Sequence, residues 1–543
     1  MPSVTAALII FIITYLFIGL RQIPRVHIDR TAGALVGAVL MIVCGVLTLD
    51  QAFAAIDMNT LLLLLGMMII TVYLRAAGFF ELMADRILSL SKTPMQLLIL
   101  VTLSSGILSA LFVNDTICLL YTPIILEVTI QLGVNPLPYL LALATSSNIG
   151  SVMTITGNPQ NMLIGIYSKI PYLSFFGTLF PVTLLGFVVT VLVIRFLYRD
   201  DMKKECFLKR PAAPAYGVNK PLLIKALVVC AGVLVAFSAG YPYSLTAAAG
   251  AVVLMLAGGV RTERVLEGVD WTLLLFFSGL FVVMHGVEVS GLARTMIDWT
   301  GGVTETTSAG RIAGLSFISA LLSNVVSNVP AVMLLKPFIE SIGGDRTAWL
   351  ALAMSSTLAG NLTLIGSVAN LIVVQQARRK VEIGFMEYFR VGALITAATI
   401  AIGILVLTLE VRAAHGAEEG ASGKPEKQMM VTIDSDTAAR TFRVVLLCDT
   451  IQKREQGLQG FRPLMSGEAA LFVFDKPEPV SFWMGSVAFL IDIIFVSPDK
   501  EVVRIYPSCR PGSPGLYPSG GPVKWVIETA AGSGIREGDR ISF

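Results

Sequence analysis

Up to Glu410 the chain alternates long apolar runs with short polar loops. The first runs are Val4–Leu20, Thr31–Leu47 and Thr60–Tyr73, each near the roughly 20 residues that cross a bilayer as a helix. Two later segments in each half break the pattern, because polar residues interrupt them near the middle. Met95–Gly133 and Ala309–Ile342 are long enough for two helices each, and the polar centre predicts a hairpin with its tip at membrane depth. The next segments carry Gly, Pro and Asn inside apolar sequence, which predicts a helix with an unwound middle. After Glu410 the pattern changes. Residues 411–428 are rich in Gly, Ala and charge and read as a flexible linker. Beyond it, short runs such as Thr441–Leu447, Ala470–Phe474, Ile491–Val496, Val502–Tyr506 and Val523–Ile527 are bounded by Gly and Pro and read as strands.

The apolar part is duplicated. Asp57 to Gly66 and on to Gly78 repeats as Asp270 to Gly279 and on to Gly291. Asn114 with Pro123 repeats as Asn328 with Pro337. The stretch ALATSSNIGSVMTITGNPQNMLI from Ala142 aligns without a gap to ALAMSSTLAGNLTLIGSVANLIV from Ala351. Three matched blocks in one order define two repeats, 1–198 and 222–410, joined by a linker at 199–221. Each half has three plain spans, a hairpin segment that adds an even number of crossings, a broken helix and a final span. An odd total inverts the second half relative to the first, a plan shared by many secondary transporters.

Composition supports a membrane class. The 543 residues are 55% hydrophobic and 14% charged, against roughly 25% charged in soluble domains. The net charge of +3 gives no reason to expect a nucleic-acid partner. Neither the six cysteines nor the three histidines fall at metal-site spacing. Lys and Arg gather on the side reached after the first span, from Arg21, Arg25, Arg30 and Arg75 through Arg261 to Arg378, Arg379 and Lys380. That side is read as the cytoplasm. Both termini are then extracytoplasmic, and so is the β-rich accessory domain expected over 429–543.

Polar groups within apolar spans are costly and mark function or packing. The clusters are Asn114, Asp115 and Thr116 at one tip and Ser327 and Asn328 at the other. The breaks supply Ser147, Asn148, Gly157, Asn158 and Asn161, and Asn361, Thr363, Gly366, Ser367 and Asn370. Tips and breaks leave backbone groups free at membrane depth, tolerated only where they line a cavity. Helix N-termini there suit an anion or a hydroxyl, and carbonyls with Asn, Ser and Thr oxygens suit Na⁺. Asp115 is the one acidic residue in a tip. It favours a cation, a coupled proton or a neutral ligand over a bare dianion. Asp57 and Asp270 read as helix caps.

FVNDTICLLYTP, GNPQN, SNVVSNVP and GSVANLIV resemble the ion transporter superfamily, with its arsenite permeases, citrate–metal symporters and NhaD-type antiporters. The resemblance implies an elevator-type secondary transporter, commonly a homodimer, whose tips and breaks make the site. The divalent-anion branch carries Ser-Asn-Thr at both tips. Asn-Asp-Thr and Ser-Asn-Val-Pro here count against a dicarboxylate. The C-terminal part resembles domain-of-unknown-function family 192 in Gly457-Leu458, Arg462, Leu471–Phe474, Phe482–Met484, Asp492 and Gly538-Asp539. Ser486 stands where that family usually has Asn, and Cys509 alone remains of a late cysteine pair. Arg462, Trp483 and Asp492 are either a ligand site or packing residues.

The expected protein is a polytopic α-helical integral membrane protein of a bacterial-type inner membrane. It moves a small oxyanion such as arsenite, or a carboxylate, by an ion gradient of Na⁺ or H⁺. No cofactor is expected, since no nucleotide-binding GxxxxGK[ST] is present, and no HExxH or GxSxG suggests an enzyme. The alternatives are a Na⁺/H⁺ antiporter and a membrane-anchored extracytoplasmic binding or sensory protein.

Overall fold

The computed structural model describes residues 4–19, 29–203, 217–291, 308–342, 344–422, 429–434, 439–450, 453–454, 457–459, 461–485, 487, 489–513 and 515–543. Two compact units result, Met1–Ala413 and Ala414–Phe543. Arg21, Arg25, Cys206 and Ser486 lie outside the described residues, as does most of the 199–221 linker.

The first half of the helical unit runs through α1 (Val4–Gly19), α2 (Arg30–Val43), α3 (Leu49–Ala54), α4 (Met58–Ala76), α5 (Phe79–Leu90), α6 (Pro94–Leu111), α7 (Asn114–Gln131), α8 (Leu137–Val152), α9 (Pro159–Ser168) and α10 (Tyr172–Leu197). A short α11 (Arg199–Met202) follows. The second half repeats the order as α12 (Lys220–Ser238), α13 (Tyr243–Ala257), α14 (Thr262–Glu267), α15 (Trp271–Val289), α16 (Ser308–Val326), α17 (Asn328–Ser341), α18 (Arg346–Ala359), α19 (Val368–Ala377) and α20 (Phe385–Ser422). Among the described residues, seven helices are long and apolar enough to cross a bilayer.

Local signals set the ends. Asp57 accepts from the Asn59 and Thr60 amides at 2.9 and 3.2 Å, and Asp270 accepts from Leu273 N at 3.0 Å. Both are N-caps, as the sequence indicates. The second span is shorter than its apolar run, because Gly45 at φ +70° ends α2 after Val43. The amphipathic α5 was not anticipated. It has only 12 residues, with Glu81, Asp85 and Arg86 among them, about 18 Å of helix. That is too short to cross a bilayer, so α5 leaves the parity read from the sequence for the first half unchanged.

The helix α20 continues through the first part of the segment read as a flexible linker, reaching Ser422. Ala413, Ala414, Ala417, Glu418 and Glu419 are good helix formers. They outweigh Gly416 and Gly420, which corrects the linker reading over 411–422.

The halves interlock by exchanging partners. A Cβ on Gly66 of α4 would lie 2.6 Å from the Ala247 carbonyl carbon of α13, and one on Gly279 of α15 would lie 2.8 Å from that of Ala34 on α2. Thr31 Oγ1 of α2 donates to Thr272 O of α15 at 3.1 Å. Within the first half, α6 and α8 touch along a seam of small residues. A Cβ on Gly150 would meet Gly106 O at 2.0 Å, and serine pairs 105–146 and 109–147 bond at 2.6 and 2.8 Å. Such seams let helices approach closely without bulky side chains.

The second unit is a seven-stranded sheet of order β5-β4-β6-β3-β2-β1-β7. Its strands are β1 (Met430–Asp434), β2 (Ala439–Cys448), β3 (Glu468–Trp483), β4 (Ile491–Val496), β5 (Val502–Cys509), β6 (Leu516–Ala530) and β7 (Arg540–Ser542). All five sequence-read strands are present. The pairing is antiparallel except between β2 and β3. Alternation sends Phe472, Phe495 and Val526 to one apolar face and Leu471, Ile494 and Ile527 to the other.

Candidate functional site

The helices around the centre stop where the duplicated polar blocks fall. Between α6 and α7, Phe112 is extended and Val113 is non-helical, so the hairpin tip opens α7 at Asn114. Between α16 and α17 the turn is Ser327 alone, at φ 77° and ψ 161°. Non-glycine residues rarely adopt that backbone region, at a cost of about 1–3 kcal/mol. Between α8 and α9, and between α18 and α19, the chain unwinds around a single 3-10 turn, Ile155–Gly157 and Leu364–Gly366.

Two asparagines hold these breaks. Asn161 Nδ2 donates to Ser151 O, Val152 O and Thr154 O at 3.0–3.2 Å. Asn370 Nδ2 donates to Gly360 O at 2.7 Å and Thr363 O at 3.0 Å. Each amide satisfies carbonyls orphaned by the helix end before it. Gly157 sits in the fold of its break, where a Cβ would fall 2.4 Å from Ser151 O. A Cβ on Gly366 would likewise lie 3.0 Å from both Gly360 O and Asn324 Oδ1.

Asn148 joins the halves. Its Oδ1 accepts from Asn114 Nδ2 at 2.9 Å and Ser367 Oγ at 3.0 Å. Its Nδ2 donates to Asn361 Oδ1 at 2.9 Å and Asn370 Oδ1 at 3.0 Å. The equivalent position in the second half is Thr357, whose hydroxyl accepts from Asn158 at 3.3 Å and Gln160 at 3.2 Å. Asn361 also donates to Thr145 O at 3.2 Å. Ser147 donates to Asn114 O at 3.2 Å, and Thr363 donates to Asn324 Oδ1 at 3.2 Å. With its amide turned so that the nitrogen donates, Asn328 reaches Ser356 O at 3.1 Å and Gly366 O at 3.3 Å.

These elements enclose a cavity of about 40 Å³, lined by Asn114, Asp115, Gln160, Ser327, Asn328, Ser367 and Arg30, with Phe276 and Phe277 as its apolar wall. Both tips and both breaks therefore reach one place. Asn114 Oδ1 is buried there, and it has no partner among the described residues. Thr116 does not line this cavity. It faces a separate cleft of about 80 Å³ with Thr71, Arg75 and Asp270, and Asp115 borders both spaces. The Asp115 carboxylate also meets the Ala369 N–H, in the first turn of α19. Asn158, Asn161, Asn361, Thr363 and Asn370 brace the breaks, and Ser147 braces the first tip, around the cavity.

Arg30 and Gln160 were missed. Gln160 lies inside the GNPQN stretch, where the nearby asparagines give the same polar signal. Arg30 was counted with the loop charges. Its position one residue before the apolar run was the available signal, since α2 starts against α15, where Thr31 bonds Thr272 O. A larger pocket of about 650 Å³ lies further along α15 and α17. Asp57, His285, Glu288 and Lys336 line it, and Lys336 Nζ sits 4.6 Å above the Tyr167 ring. No group of three His, Cys, Asp or Glu able to hold a metal occurs among the described residues.

In the β unit the three singled-out residues have separate partners. Arg462 forks onto Glu468 at 2.7 and 2.9 Å, and Arg443 adds a bond at 2.7 Å. The Arg462 fork, with the Met465 amide, holds the Glu468 carboxyl down at about 2. Asp492 accepts from Ser508 N, Ser533 N and Ser533 Oγ at 2.6–2.8 Å. Trp483 is exposed at the end of β3. Buried Glu528 is pushed up to about 8 by desolvation.

Comparison with known proteins adds five likenesses. Residues 6–358 match the family described as citrate transporter, and residues 431–543 match the uncharacterized DUF192 family. The silicon efflux transporter LSI3 of Oryza sativa subsp. japonica is 32% identical over 472 residues, covering 74% of this chain and 97% of that protein. The arsenical pump membrane protein of Escherichia coli is 26% identical over 400 residues, covering 69% and 92%. The solved structure of the Alcanivorax borkumensis YdaH transporter aligns at TM-score 0.48 and 14% identity, over 75% of this chain and 98% of that one.

Proposed function

Because the chain belongs to the citrate transporter family, we propose that its helical unit is a secondary-active transporter of a small oxyanion such as arsenite, or of a small carboxylate, driven by an ion gradient. The observation that carries this is the central cavity, where two hairpin tips and two helix breaks converge on amides, hydroxyls and one guanidinium. Its size supports a small cargo. About 40 Å³ holds a few water-sized groups, at roughly 10–15 Å³ each on this measure, and not a tricarboxylate in this conformation. The arsenical pump of Escherichia coli and the silicon transporter of rice are relatives named for small inorganic cargo.

The same proposal includes an elevator-type movement of tips and breaks together, in a homodimer. It places the Lys- and Arg-rich side in the cytoplasm and both termini outside, in a bacterial-type inner membrane. The β unit is then an extracytoplasmic accessory domain.

The test is proton flux in proteoliposomes holding a trapped pH dye. After a pH gradient is imposed, arsenite or a small monocarboxylate added without Na⁺ is expected to dissipate it, and Na⁺ alone is not. Dissipation by Na⁺ alone would replace this reading with a cation/proton antiporter.

A further inference from the structure

We infer that Arg30 reads the charge of the transported group and that Asp115, facing it in the central cavity, takes up the proton that balances that charge; this rests on the transport reading above. The argument begins with a departure from symmetry. Carrying the Asp57/Asp270 offset back to the first residues of α2 and α13 pairs Arg30 with Tyr243, and the tip block pairs Asp115 with Val329. Tyr243 packs against Phe237 at 5.4 Å between ring centroids, and its hydroxyl donates to Ile170 O at 3.1 Å. Val329 is apolar. The uncharged framework of asparagines and hydroxyls is shared by both halves, whereas the two charges occur once and line the same cavity.

Arg30 is held for recognition rather than for packing. Thr31 ties the start of α2 to Thr272, and the Arg30 guanidinium lies 5.6 Å from the Phe276 ring centroid. A ring face steadies a guanidinium and leaves its N–H edges free. Among the described residues the guanidinium makes no hydrogen bond or ion pair, so its donor fork is available to a carboxylate or oxyanion.

The charges facing Asp115 are Arg30 from α2, Arg75 from α4 across the adjoining cleft, and Asp270 at the start of α15; α19 contributes the Ala369 N–H and no charge. In the empty site, Arg30 and ionised Asp115 offset each other. An anion that takes the Arg30 fork leaves Asp115 ionised beside a second negative charge, with Asp270 also near. That arrangement is repulsive. It is relieved when a hydronium ion reaching the cleft gives its proton to an Asp115 carboxylate oxygen: one O–H bond of hydronium breaks, one O–H bond forms on the carboxyl, and neutral water is left. One proton thus accompanies one negative charge, and the loaded site keeps the charge of the empty one.

The experiment measures arsenite uptake by the full-length protein in proteoliposomes, at pH values below and above the first ionisation of arsenous acid. Arg30→Gln is expected to weaken uptake of the ionised form by at least about tenfold, a loss of one charge-assisted fork. The neutral form should change less than about threefold, and Arg30→Lys should retain the preference of the wild type. Asp115→Asn should make whatever uptake remains insensitive to an imposed pH gradient, with protein monodispersity checked for each variant. An unchanged ratio of ionised to neutral uptake in Arg30→Gln, or retained pH drive in Asp115→Asn, overturns the inference. If the wild type moves neither arsenite nor a small monocarboxylate at any pH, the transport reading itself fails.

Discussion

Asn161 and Asn370 share two matched bonds in opposite halves of the protein, each joining a carbonyl at the end of one half-helix to the carbonyl of the threonine in the break. Their amides replace the backbone partners that a continuous helix would supply. A cavity with free backbone around it can therefore be rigid at the break and still open at the tip.

That difference separates two kinds of asparagine. Asn370→Ala leaves two buried carbonyls without donors, each costing about 1–3 kcal/mol. Thermal unfolding in detergent should show a clear fall in melting temperature, along with lost uptake. Asn114→Ala removes an amide whose Oδ1 lacks a partner among the described residues. Uptake should drop by about an order of magnitude with a much smaller thermal shift, since only one net hydrogen bond of about 1 kcal/mol is lost. Equal thermal shifts in the two variants would contradict the division.

Ser327 carries the backbone cost of the second tip. Ser327→Gly relieves a conformation that only glycine adopts readily, and should stabilise the folded protein by about 1 kcal/mol. The added freedom should loosen the tip and weaken substrate affinity, so a higher melting temperature paired with a higher KM is the expected result.

The β unit should respond to pH through two carboxyls of opposite sign. Glu528, raised from 4.5 to about 8, binds more protons folded than unfolded across that window. Its contribution is complete below 4.5 and is lost as pH rises towards 8, by at most about 1.4 kcal/mol per pH unit. Glu468, lowered from 4.5 to about 2, contributes above 4.5 and loses that contribution as pH falls through 2. Hydrogen exchange in peptides from residues 429–543 should therefore quicken from pH 5 to pH 8 beyond the intrinsic rate change, and Glu528→Gln should abolish the excess.

Both tips and both breaks were legible because the duplication displays them twice. A polar residue in an apolar run is ambiguous alone, but Asn114 with Asn328 and Asn161 with Asn370 recur at matched places. Arg30 was not legible for the complementary reason. It occurs once, and an arginine at the edge of a span looks like any loop charge until α2 is seen to begin at the level of Thr272 and Phe276. The break-holding role of Asn161 was also hidden, since a ligand asparagine and a carbonyl-satisfying asparagine have the same spacing. In the β unit the strands followed from alternation. The pairing of Arg462 with Glu468 did not, because the loop that brings them together has no periodic signal.

The exchange of partners between halves has a consequence for synthesis. Helix α2 completes its packing only against α15, and Thr31 waits for Thr272, 241 positions later in the chain. At about 5–20 residues per second, the first partner spends some tens of seconds in or near the bilayer before the second leaves the ribosome. During that interval the glycine-faced side of α4 and the small-residue face of α2 are uncovered together. Biogenesis of this protein is thus a problem of holding nascent helices apart from wrong neighbours until the far half arrives.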